Sequence, residues 1–151
     1  PRVILQPAFS LIKWIGDGFD GRMFNSSYSC LEDPERSDDV ARLLVNDWIS
    51  ADAVARRNGD RFVAVLQPVA YLGRSNLNHL DLFHEEWKEL AAQYQAVYPL
   101  IRQYAAEAQI EFHDFSGVLD TEEQVYIDFC HLSPNGNRLI AVGLQGLLPD
   151  G

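Results

Sequence analysis

Three stretches of the chain repeat their apolar residues every three or four positions, which places those residues on one face of a helix. In "RSDDVARLLVNDWISADAVARRNG" the stripe is Val40, Leu43, Leu44, Trp48, Ala51, Val54 and Ala55. Ser37 stands where an N-cap belongs, Asp38 and Asp39 suit the positive end of the dipole, and Arg56 and Arg57 suit the negative end before Asn58-Gly59. In "FHEEWKELAAQYQAVYPLIRQYAAEA" the stripe runs Trp87, Leu90, Ala91, Tyr94, Tyr98, Ile101, Ala105 and Ala108, and Pro99 is expected to kink or split the helix. The third helix opens at "SPNGNRLIAVGLQGLL", with Ser133 as N-cap, Pro134 as first helical residue, and Ile140, Leu144 and Leu147 facing inward.

Two short, nearly continuous apolar runs read as buried strands: "RFVAVLQP", ended by a proline, and "AQIEFHDFSG". Strand, long helix and strand together predict a βαβ unit with a right-handed crossover, on which the third helix packs back. "PRVILQPAF" is a third candidate strand, and "GDGFDGRMFNSSYSC" reads as loop. One domain over 1–151 is expected, irregular over 1–36 and helix–strand–helix–strand–helix over 37–148. Open α/β sheets hold about 4–6 strands, so two or three leave an edge and an apolar face for a companion segment.

Composition narrows the partners. Twelve Lys and Arg against twenty-two Asp and Glu give a formal charge of −10, which repels phosphate backbones and speaks against nucleic acid and anionic membrane surfaces. No apolar run approaches the roughly eighteen residues of a membrane span. Cys30 and Cys130 stand too far apart for zinc-type spacing; they read as two buried thiols or one long-range disulfide.

The chemistry concentrates in "YIDFCHLSPNGNRLIAVGL". In a loop, the carboxylate of Asp128 can accept from Nδ1–H of His131, three residues on, and leave Nε2 free as a general base. The plainer alternative is a helix-capping loop whose histidine satisfies a backbone carbonyl. The pattern Asp-x-x-His-Leu-Ser-x-x-Gly-Asn followed by Ile140-Ala141 is longer than a dyad alone.

This stretch resembles the last sequence block of the SGNH (GDSL-type) serine hydrolases, and the resemblance spans roughly 37–148. It implies an α/β fold, a three-layer α/β/α sandwich with a parallel, flavodoxin-like sheet, incomplete in this chain. It also implies a Ser-His-Asp triad in which Asp128 orients and His131 is the base, acting on a small-molecule, carbohydrate or lipid ester without metal or organic cofactor. The family's Gly-Asp-Ser nucleophile block and Gly-x-Asn-Asp block have no match. In "WIGDGFDG" Gly18 follows Gly16-Asp17 where serine belongs, and Asn46-Asp47 lies mid-helix after Leu44. The expectation is therefore the C-terminal portion of a hydrolase, its nucleophile supplied by an N-terminal segment or a companion chain. The alternative is a non-catalytic binding or interaction module on the same fold, for example for carbohydrate.

Lesser candidates are Gln67, Tyr71 and Arg74, which follow the end of the first strand where α/β sheets place ligands, as substrate contacts. His113 and Asp114 are further pocket candidates, although Asp114 more simply bonds the turn at Ser116-Gly117. His79 and His84 with Asp81 and Glu85 read as a solvated helix start rather than a metal site, and Asp17 and Asp20 match no calcium-loop spacing.

Overall fold

The computed structural model describes residues 29–80 and 85–148, and of residues 85–87 the backbone alone. "PRVILQPAF", "GDGFDG", Asp81 and His84 lie outside the described residues. The described chain runs α1 (Pro34–Asn58), β1 (Ala64–Leu66), α2 (Glu85–Ala108), β2 (Phe112–Asp114) and α3 (Pro134–Gln145). It is a mixed α/β arrangement of three helices and a two-stranded parallel sheet. Ala64 pairs with Phe112 and Leu66 with Asp114, so the strand–helix–strand unit forms in parallel register as the pattern predicts.

Helix α1 begins earlier than Ser37. Asp33 is the N-cap, its side chain accepting from the N–H of Arg36, and Pro34 follows it in the first turn. Ser37 sits inside the helix, buried, and donates to the carbonyl of Cys30 at 2.5 Å. The C-terminal stop is as read: Gly59 takes a left-handed φ of 81° and its N–H reaches back to the last turn. The inward stripe is rotated from the predicted one. Ser37, Ala41 and Val45 are buried, with Val40, Leu44 and Trp48 packed against the core, whereas Leu43 and Val54 are 65% and 64% exposed. The reason lies in α2. Ala41 and Ala105 are both buried in the core that α1 and α2 share, and Asp38 and Arg42 bond Tyr104 beside it, so this face of α1 is turned to α2 and Leu43 is turned outward.

Pro99 does not split α2, which stays one element through it. Its buried residues, Val97, Tyr98, Ile101, Tyr104 and Ala105, meet Leu66 and Val69 from the β1 side. Both strands are three residues long, shorter than the apolar runs that predict them, because backbone pairing ends where Pro68 removes a donor and Asp114 turns to its own loop. Asp114 accepts from the N–H of Ser116 at 2.9 Å and from Arg102 at 2.5 Å.

Helix α3 has the expected N-cap, Ser133, whose hydroxyl accepts from the N–H of Gly136. It does not lie directly on the strands. It packs on a second apolar cluster, in which Leu139 and Ile140 contact Ala70, Leu119, Val125 and Tyr126. Leu144, expected inward, is 41% exposed; at this point of the helix it is Gly143 that faces Phe115 and Val118.

Candidate acid–base site

The loop between Tyr126 and Ser133 is held from four directions. Tyr126 and Leu132 form an isolated antiparallel bridge, with the N–H of Ile127 on the carbonyl of His131 at 2.8 Å and that of Ser133 on Val125 at 2.9 Å. The N–H of Ala70 donates to the carbonyl of Phe129 at 2.9 Å, tying the loop to the chain just beyond β1. Nε2 of His79 lies 2.7 Å from the carbonyl of Tyr126. His79 is thus a tie between two loops, where the pattern had suggested a solvated helix start; its partner is a backbone carbonyl, which side-chain spacing does not reveal. From the fourth side, Gly136 of α3 lies so close that a Cβ there would fall 2.5 Å from the carbonyl oxygen of Val125.

Inside this frame Asp128 and His131 meet. Oδ2 of Asp128 is 2.7 Å from Nδ1 of His131, while Oδ1 accepts from the backbone N–H groups of Cys130 at 2.9 Å and His131 at 2.8 Å. One carboxylate oxygen thus fixes the loop and the other orients the imidazole. Burial is the largest single influence on the Asp128 carboxyl and acts upward; the two backbone donors and the imidazole outweigh it and hold the group at about 2. A carboxyl lowered from 3.8 lends its stabilisation in full above about pH 4 and loses it as pH falls towards 2. The His131 side chain is 74% exposed, and Nε2 has no hydrogen bond among the described residues. The pair therefore presents an oriented imidazole to whatever approaches that face.

Cys130 also belongs to the site. Its Sγ lies 3.7 Å from Nδ1 of His131. Both cysteines are free thiols, Cys30 buried and Cys130 half-buried. Burial first, then the charge of Asp128 and a hydrogen bond to it, push the Cys130 thiol up, so it is a weak nucleophile towards carbonyl carbon.

The three residues after β1 part company. Gln67 is exposed, and its carbonyl accepts from the Tyr98 hydroxyl at 3.0 Å. Arg74 has a 91% exposed side chain and pairs with Asp120 through its N–H at 2.6 Å. Tyr71 alone joins the site, stacking on Phe129 at 6.0 Å between centroids and lying near Tyr94 at 6.2 Å. Its hydroxyl is buried and has no hydrogen-bond partner among the described residues. Burial, then the neighbouring Tyr94, Asp128 and Cys130, push it to about 12. Tyr71→Phe is expected to raise stability by about 1 kcal/mol, seen as a higher urea midpoint at unchanged slope, since an unpaired buried hydroxyl costs more than it returns.

His113 lies 3.6 Å from Glu111, on the sheet, and takes no part in the Asp128–His131 pair. Asn46 and Asp47 lie within α1, as their helical setting implies. No described helix is long and apolar enough to cross a membrane. Comparison with family models, with curated proteins and with solved structures gave no match.

Proposed function

We propose that this chain supplies the acid and base of a Ser-His-Asp triad, as the C-terminal portion of an SGNH-type ester hydrolase. The observation that carries the reading is the 2.7 Å contact of Asp128 Oδ2 with His131 Nδ1 in a loop pinned on four sides. A parallel strand–helix–strand unit followed by a Ser133-capped helix is the order of elements the reading calls for, and it supports it. In the reaction, a serine outside the described residues attacks an ester carbonyl. Nε2 of His131 takes its proton and later delivers it to the leaving alcohol, while Asp128 stabilises the imidazolium in between.

The two-stranded sheet supports a companion strand. Among the described residues neither outer edge carries a further strand, and a parallel pair this short depends on flanking strands and helices for its stability. An N-terminal segment or a second chain would complete it and bring the nucleophile.

The test uses the intact protein with its complete sheet. It is expected to hydrolyse a short-chain aryl ester and to be labelled on one serine by a fluorophosphonate. Neither turnover nor labelling would overturn the reading in favour of a binding module on the same scaffold.

A further inference from the structure

We propose that Asp128, Cys130 and His131 form a three-donor site for a divalent cation of the zinc class. One carboxylate oxygen, one sulfur and one imidazole nitrogen come within 4.8 Å of one another there, all from a single loop. The donor set is chemically mixed in the way zinc prefers, and three protein ligands leave a fourth position open.

The geometry is close to what coordination demands. Bonds of about 2.3 Å to sulfur and about 2.0 Å to nitrogen at a tetrahedral angle put those atoms about 3.5 Å apart. The Cys130 Sγ to His131 Nδ1 separation is 3.7 Å. The carboxylate contact at 2.7 Å must open to about 3.3 Å, a small rotation of an exposed imidazole. Asp128 is already held for the task. Its Oδ1 is fixed by the N–H groups of Cys130 and His131, which leaves Oδ2 to turn towards an ion. The positive end of α3 opposes a cation nearby, but a carboxylate and a thiolate bring two negative charges at contact distance against a partial charge. The hydroxyl of Tyr71, buried and without a hydrogen-bond partner among the described residues, feels the charge of Asp128 and Cys130 from the same side.

Protons balance simply. The thiol of Cys130 releases its proton to solvent as sulfur binds. The imidazole proton leaves Nδ1, which becomes a ligand, and the neutral ring is protonated at Nε2 instead. One proton is released per ion. The tautomer that binds metal is the one that cannot act as base through Nε2, so zinc and catalysis exclude each other at this loop. Ion binding stands on the donors alone; only the inhibition rests on the hydrolase reading.

The test is a titration of the reduced full chain with Co²⁺, then Zn²⁺ in competition. A saturable one-to-one thiolate-to-cobalt absorption band is expected, with micromolar affinity, displaced by Zn²⁺ and accompanied by release of one proton per ion. Cys130→Ser, which keeps the loop's size, is expected to abolish the band and weaken Zn²⁺ binding at least about tenfold; Cys30→Ser is expected to leave both unchanged. The absence of saturable binding, or a band that survives Cys130→Ser, overturns the site. Whether the intact protein turns over an ester is read separately, by the ester and fluorophosphonate experiment without added ion.

Discussion

Gly136→Ala is expected to destabilise the protein by about 2–4 kcal/mol, lowering the thermal midpoint by roughly 5–15 °C. The sign is the informative part. At an ordinary exposed helix position the same change stabilises by about 0.5–1 kcal/mol, because alanine loses less backbone freedom than glycine. Gly136 is buried, and its would-be Cβ meets the Val125 carbonyl oxygen at 2.5 Å and Cβ atoms of Leu132 and Val125 at 3.2 and 3.3 Å. Backbone cannot yield as a side-chain tip does. The Val125 carbonyl also accepts the N–H of Ser133 at 2.9 Å, so moving it loosens the capping residue and the bridge beneath the site. Thermal melts of the two proteins decide the matter; an unchanged or higher midpoint would show that α3 stands further from Val125 than described.

If the proposed hydrolase reading holds, Asp128→Asn in the intact protein lowers kcat by about 10⁴-fold and His131→Ala by about 10⁶-fold, the magnitudes seen when triads lose the orienting acid or the base. The two losses are not additive, because both act through one proton transfer. Asparagine keeps an oxygen for the N–H groups of Cys130 and His131, so the loop survives, but its amide can donate to Nδ1 and stabilise the wrong tautomer. The Nδ1–H signal of His131 in proton NMR is the second readout: present in the parent chain, absent or shifted in Asp128→Asn. A merely structural role for Asp128 would leave that signal and the ratio of the two rate losses unexplained.

Much of this was readable from spacing. Helices α2 and α3, the Ser133 cap, the Gly59 stop and the parallel pairing follow from local chemistry and an apolar period. The Asp128–His131 contact was also accessible, because a three-residue separation lets a loop close it without help from elsewhere. What the pattern missed depends on distant partners. The rotation of α1 is set by the core it shares with α2, in which Ala41 and Ala105 are both buried, and no single-helix stripe encodes that. Tyr71 was one of three candidates after β1, and only the stacking of Phe129 separates it from Gln67 and Arg74. Cys130 stands a hundred residues from Cys30, and its chemical neighbour is the next residue in the chain, His131.

The two apolar clusters have a consequence for how the molecule comes apart. One joins α1, α2 and the strands; the other joins Ala70, the 119–126 segment and α3 around the acid–base loop. Cys130 and Phe129 lean on the first cluster, while the N–H groups of Ile127 and Ser133 are bonded inside the second, so slow amide exchange at those two reports most directly on the second. Most of that second unit is contiguous in sequence, and its short-range contacts form quickly and without a long loop closure. An acid–base pair built this way is assembled almost wholly by its own stretch of chain, the bond that defines it spanning three residues.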